Sequence, residues 1–234
     1  MPARSNGVFT RIAGANELVA DTTTVMPGSD PTTFSGFSDP DISGRNVAFW
    51  GGRGALSGVY ALIDGTLTKV ADDNDTQPGS VQSFRTFSKP VISGRQVAFH
   101  GLGDFEGIYV GNGGPLTVIA KTGDPNPGGG TFSGFGRNVA TDGGEVAFSA
   151  AGSGFNGLFV SEQFGLCRII DTNDTLEGKD IIQLFMGRDS YSLGMLGFRA
   201  VFSDGSRGIY LAKAPRSSTT GSLPTGVLFI LLDE

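Results

Sequence analysis

The stretch FRTFSKPVISGRQVAFHGLGDFEGIYVGNGGPLTVIAKTGDPNPG, residues 84–128, is written almost in full both before and after itself. Phe49, Phe99, Phe148 and Phe202 close copies of Val-Ala-Phe (the last reads Ala-Val-Phe), at spacings of 50, 49 and 54. Phe9, Tyr60, Tyr109, Phe159 and Tyr210 close copies of Gly-aliphatic-aromatic, at spacings of 51, 49, 50 and 51. Two unrelated anchors keeping one period along the whole chain mark a repeat architecture.

Each unit divides into four short segments. In the copy quoted, FRTFSKPVI is interrupted by Pro90, which lacks the N–H a ladder needs and so sits at an edge or a strand mouth. Ser93-Gly94 turns the chain into RQVAFH, and Asp142-Gly143, a strong hairpin signal, holds the equivalent place one unit later. GLGDFE leads into GIYV, NGG into LTVIA, and KTGDPNPG closes the unit. Val-Ala-Phe, Gly-Ile-Tyr and Val-Ile-Ala are continuous apolar runs, as in sheets covered on both faces. Gly, 38 of 234 residues, is spread through the repeat, and no long window has helical apolar spacing.

These features predict an all-β chain. Four short antiparallel strands per unit of about 50 residues describe a β-propeller blade, stacked so that neighbours bury what one unit cannot. An open β-solenoid or a sandwich of meanders competes with it. The expected domain spans 1–213, with units 7–28, 34–79, 84–128, 132–178 and 182–213. Counting Gly-Ile-Tyr copies gives five blades; counting Val-Ala-Phe copies gives four and an overhang, as in a truncated array. The partial units at the two ends are candidates to complete one blade together. Residues 214–234 form a tail whose apolar run, 227–232, reads as a closing strand or an anchor stub, far short of the ~20 residues that span a bilayer.

The units PxISGxxVAF, GIY, LTxVA and PG resemble bacterial tandem-repeat proteins named for an NxxGxxAF signature, of the choice-of-anchor type. The resemblance covers residues 7–213. Only Gly144 stands at the signature glycine, with Thr141 in the Asn place; Gly44, Gly94 and Gly197 fall one residue earlier. The resemblance implies extracellular or cell-surface modules and transfers no catalytic residues. The start, MPARSNGVFTRIAG, has no apolar signal-peptide core.

Charge narrows the partners. The net charge of −6, from 17 Asp and 6 Glu against 12 Arg and 5 Lys, comes with no basic stripe, which disfavours nucleic acid. Cys167 lies in the apolar run LCRII and reads as a buried free thiol, leaving no internal disulfide.

Function is sought where the repeat fails. The residue after the Val-Ala-Phe aromatic is Trp50, His100, Ser149 and Ser203 in successive units, so the only Trp and only His share a place. The loops behind them, 51–57, 101–106, 150–156 and 203–207, vary while the strands do not, which is where binding resides on repeated scaffolds. Trp50, Arg53, His100, Asp104, Ser149 and Ser203 are the candidate ligand-binding residues, with a glycan or a protein surface as the partner, Trp50 supplying a stacking face. The competing reading is that this place merely leaves the core and tolerates anything. The closing loops carry recurring acids: Asp21, Asp72, Asp75, Asp124, Asp171 and Asp174. They are weak calcium candidates, because no twelve-residue calcium loop is matched and Asp before Pro-Gly is ordinary turn chemistry.

No nucleophile elbow, P-loop or dinucleotide fingerprint occurs, and one His with one Cys disfavours zinc. A Ser-His-Asp set would have to use His100 with Asp104, and nothing fixes its nucleophile. A two-carboxylate glycosidase pair leaves no trace in spacing. The expectation is therefore a non-enzymatic binding module. A hydrolase or lyase acting on a polysaccharide or ester at one mouth of the propeller, and a structural surface repeat, are the alternatives.

Overall fold

The computed structural model describes residues 6–12, 14–29, 31–38, 40–162, 165–214 and 229–231. All their regular elements are strands, gathered in five antiparallel sheets, none closed on itself. The chain divides into two compact units, 1–118 and 119–234.

The first unit holds three sheets. β1 (Gly7–Ile12) and β2 (Ala15–Asp21) make a sheet of two. The second sheet runs β3 (Gly36–Phe37) and β4 (Asp41–Ser43), both beside β5 (Asn46–Arg53), then β6 (Leu56–Ile63) and β7 (Thr66–Asp72). The third repeats it with β8 (Thr86–Phe87), β9 (Val91–Ser93), β10 (Gln96–Leu102), β11 (Glu106–Gly111) and β12 (Thr117–Lys121). Pro40 and Pro90 break the innermost strand into two pieces in these sheets, as the missing N–H requires.

In the second unit the fourth sheet is β13 (Phe132–Asp142), β14 (Glu145–Gly152), β15 (Phe155–Glu162) and β16 (Gly165–Asp171). Its innermost segment has no Pro, and β13 runs on for 11 residues, absorbing the irregularity in two register shifts. The fifth is β17 (Thr175–Leu176), β18 (Lys179–Phe185), β19 (Tyr191–Ser192), β20 (Met195–Phe202), β21 (Arg207–Lys213) and β22 (Phe229–Leu231). β22, from the apolar run near the C-terminus, pairs with β21 and fills the outermost place. Among the described residues β1 pairs with β2, and β22 with β21.

One aromatic cluster recurs in each of the four larger sheets. Phe49 stacks on Tyr60, Phe99 on Tyr109, Phe148 on Phe159 and Phe198 on Tyr210, with centroids 5.7–6.1 Å apart and planes within 28°. A second phenylalanine meets the same partner edge-on: Phe34, Phe84, Phe132 and Phe202, at 82–88°. Stacked plus edge-to-face contacts satisfy the ring quadrupoles on two sides at once. The register corrects the expected phase of the last unit. Phe198, not Phe202, lies opposite Tyr210, as Phe49 lies opposite Tyr60, so the true spacings are 50, 49 and 50. Phe202 instead fills the edge-on place that earlier units supply from their first segment, which is how IIQLF can do without the Phe-x-x-Phe pair.

Within each unit the other face of a sheet is small and aliphatic, and it packs on the next sheet's aromatic face. Val8, Val19 and Ala20 cover Phe34, Phe49 and Tyr60. Ala48, Val59, Ala61 and Ala71 cover Phe84, Phe99 and Tyr109. Within the second unit Ala140, Ala147, Leu158 and Ile170 cover Phe198, Phe202 and Tyr210. Glycine permits the close in-sheet approach this needs, since a Cβ on Gly58 would lie 2.5 Å from the Ala71 carbonyl oxygen. Phe198→Ala is expected to cost about 3–5 kcal/mol, the scale of emptying a buried aromatic site, and as much as Phe99→Ala. Urea unfolding checks it; a Phe198→Ala loss below about 1 kcal/mol would restore the phase centred on Phe202.

Candidate functional site

In the second, third and fifth sheets the hairpin after the Val-Ala-Phe strand ends beside the segment that enters the sheet, so there the variable residues meet the incoming chain. The two are tied together, and the tie differs from sheet to sheet. In the second sheet Arg53 donates from Nε to the Thr33 carbonyl, and from Nη2 to Thr33 Oγ1 at 2.8 Å and the Phe34 carbonyl at 3.1 Å. In the third, Gln77, fully buried, donates to the Phe105 carbonyl and Tyr109 hydroxyl, both at 2.7 Å. Its Oε1 accepts from the Asp104 N–H at 2.8 Å and the Phe105 N–H at 3.3 Å. A Cβ on Gly103 would lie 2.7 Å from that oxygen, so the glycine in GLGDFE makes room for the clamp. In the fifth, Lys179 reaches Ser206 Oγ at 2.8 Å and Asp204 at 3.1 Å. The Ser206 hydroxyl and N–H, with Lys179, hold the Asp204 carboxyl down at about 2.

The sequence-predicted residues fall into place around these ties. Trp50 is half-buried, packed on the core between the second and third sheets. Arg53 is exposed, but its bonds are spent on the entering loop. His100 is 5% exposed, with Nε2 2.8 Å from Glu106 Oε1, so its carboxylate neighbour is Glu106. Asp104 accepts from the Ser80 hydroxyl at 3.1 Å. Ser149 is half-buried, opposite Leu158 as Trp50 is opposite Val59. Ser203 is exposed and donates its N–H to the Asp180 carbonyl. By register the residue equivalent to Trp50 and His100 is Arg199, whose guanidinium lies 4.3 Å over the Phe185 ring. Sequence reasoning missed Gln77 and Arg199. Gln77 was hidden because Met26, Asn126 and Leu176 hold its place in other units; Arg199 was hidden by the misphased Ala-Val-Phe.

The acidic loops are built as turns. Asp72 N–H donates to Asp75 Oδ2 at 2.8 Å, and Asn74 N–H to Asp72 Oδ1 at 3.0 Å. Asp171, Asn173 and Asp174 repeat both bonds at 2.8 Å. Asp21 pairs with Thr24 in the first copy, and Asp124 accepts from the Lys121 N–H in the third. The chain supplies its own cations. Lys69 Nζ lies 2.8 Å from Asp75 and 3.3 Å from Asp72; Arg168 lies 2.5 Å from Asp174 and 3.0 Å from Asp171. A calcium ion would have to displace these side chains. Among the described residues no group of three or more His, Cys, Asp or Glu is placed to hold a metal. Burial, then the nearby Asp75, raises the Asp72 pKa against the pull of Lys69. Cys167 is half-buried, and burial, then Glu162, raises its thiol pKa, which disfavours the reactive thiolate.

Beside Lys69 runs a groove of about 280 Å³ within the first unit, floored by Val70, Pro78 and Leu116 and edged by Lys69, Asp75 and the Gly113-Gly114 turn. It offers an apolar base under an ion pair, and spacing alone gives no hint of it.

A period-50 all-β chain whose four larger sheets are aromatic-centred, three of them with the variable hairpin tied to the entering segment, defines a class of repeat scaffold. The chain belongs to a family described as a family of unknown function (DUF7453), whose model matches residues 1–180. No significant match to a curated protein was found. Among the described residues no helix is long and apolar enough to cross a membrane.

Two outcomes follow from the ties. Gln77→Met, which copies Met26 of the preceding unit, removes the bonds to the Asp104 and Phe105 N–H groups, the Phe105 carbonyl and the buried Tyr109 hydroxyl. It should cost about 1–3 kcal/mol in thermal or urea unfolding. Lys69→Met should destabilise the fold more at pH 7 than at pH 4. A buried carboxyl whose folded pKa lies above its unfolded value is penalised while ionised, and the penalty fades as pH falls through the folded pKa. A pH-independent loss in denaturation midpoints would contradict the assignment of Lys69 as the counter-charge.

Proposed function

We propose that the chain is a non-enzymatic β-propeller-type recognition module, displayed outside the cell, that binds a glycan or protein surface through its tied hairpins. The supporting observation is the pairing of an invariant frame with sheet-specific ties. The frame repeats ring for ring, while Arg53, Gln77 and Lys179 fix hairpins of different sequence by different chemistry. Holding a loop in one conformation before binding reduces the ordering cost that binding would otherwise incur. Five sheets, each with four strand places except the two-stranded first, and small faces on aromatic faces within each unit, support the propeller reading over a sandwich.

A glycan is the ligand class to test first. Trp50 is the one tryptophan, half-buried with part of its surface exposed, and an indole face suits the apolar face of a sugar ring. Of the other candidates, His100 and Asp104 are engaged by their own hairpin and entering loop, which favours positioning over proton transfer.

The test is a glycan array followed by titration calorimetry on any hit. Wild type is expected to bind, and Trp50→Ala to weaken binding at least about tenfold, the scale of one lost aromatic contact, with far-UV circular dichroism unchanged. Absence of binding across the array, or a hit indifferent to Trp50→Ala, would count against the glycan assignment.

A further inference from the structure

β5 and β10 are buried on both faces, whereas β1 and β20 are buried on one. β5 and β10 are buried almost continuously from Val47 to Gly52 and from Val97 to Gly101. β20 instead alternates strictly, with Leu196, Phe198, Ala200 and Phe202 buried and the residues between them half-exposed. β1 alternates too: Val8 and Thr10 are buried, Phe9 and Arg11 exposed. Such alternation belongs to a sheet covered on one side only.

The uncovered faces are apolar and of opposite kinds. In the first sheet Phe9 is 50% and its register partner Leu18 52% exposed. The residues equivalent to Phe9, namely Tyr60, Tyr109, Phe159 and Tyr210, are 0–2% exposed. In the fifth sheet Ile209 is 41% exposed, where its equivalents Val59, Ile108 and Leu158 are all 0%. Leu211 and Val201, on the same face, are half-exposed. So the fifth sheet leaves open an aliphatic face, and the first an aromatic one. That is the pair that meets between the first and second, second and third, and fourth and fifth sheets.

We propose that copies of this chain associate head to tail, the open face of the fifth sheet in one copy packing on the open face of the first sheet in the next, so that the propeller-type array is continued between copies and not closed within one. The contact reuses a packing rule already realised three times within the chain. It joins two different surfaces, so it is heterologous and extends to rings or filaments instead of stopping at a two-fold dimer.

Sedimentation velocity across a concentration series tests this with the full chain. Wild type should show a weight-average mass that rises with concentration. Phe9→Lys and Ile209→Lys, each at an exposed position, should each lower the association constant roughly tenfold or more, the scale of losing one buried apolar side chain. Leu18→Lys serves as the second variant on the first sheet, and circular dichroism confirms that each variant is folded. Mixing Phe9→Lys with Ile209→Lys should restore a one-to-one dimer and nothing larger, since each copy keeps one intact face. A wild type that stays monomeric throughout would overturn the proposal. So would variants whose association is not restored on mixing, which would mean a two-fold contact.

Discussion

The structure depends on the contact between an aromatic face and a small aliphatic one. Each larger sheet carries a ring stacked on its cross-strand partner and a second ring set edge-on to that partner. Within each unit the sheet before it offers alanines, valines and a glycine-permitted close approach. Neither face can be buried by its own sheet, since a sheet of four short strands has no second layer. Repetition supplies that layer, and the period of the sequence is the period of this contact. The turns, the split inner strands and the acidic loops bring the next aromatic face into place.

On this frame the acidic residues and the candidate site residues take positions set by local geometry. Asp75 and Asp174 cap their turns because an Asp three residues on can accept the N–H the turn exposes. Lys69 and Arg168 sit just before the bulged residues Val70 and Ile169, opposite Tyr60 and Phe159, and each reaches the two carboxylates of its loop. The hairpins are free to vary because their stability comes from one tie each, and any donor of the right reach will serve. Arg53 from the hairpin, Gln77 from the entering loop and Lys179 from the first strand are three solutions to one problem.

Much of the fold is legible in the sequence. Val-Ala-Phe and Gly-Ile-Tyr mark the two central strands, the Pro in the first segment marks a broken inner strand, and Asp-Gly and Ser-Gly mark hairpins. The phase of the last unit is not legible, because Gly-Phe-Arg-Ala-Val-Phe offers two phenylalanines four apart on one face and only the register opposite Tyr210 distinguishes them. The clamp is illegible for a different reason. Gln77 is visible as a polar residue before Pro-Gly, but its partners are two backbone N–H groups, a carbonyl and a hydroxyl contributed 27–32 residues away. Bonds to backbone leave no side-chain pattern to find. Of the candidate site, the position of Trp50 and His100 is readable from the period, whereas their burial depends on the packing of sheets and is not.

Native-state hydrogen exchange resolved by residue measures this organisation most directly. If one aromatic-centred sheet is the unit of stability, the slowest amides should fall on the paired central strands, 46–63, 96–111, 145–162 and 195–213, in one phase from unit to unit, with the fourth maximum centred opposite Tyr210. Protection gathered in a single sheet, or a fourth maximum displaced toward 202–206, would contradict the account.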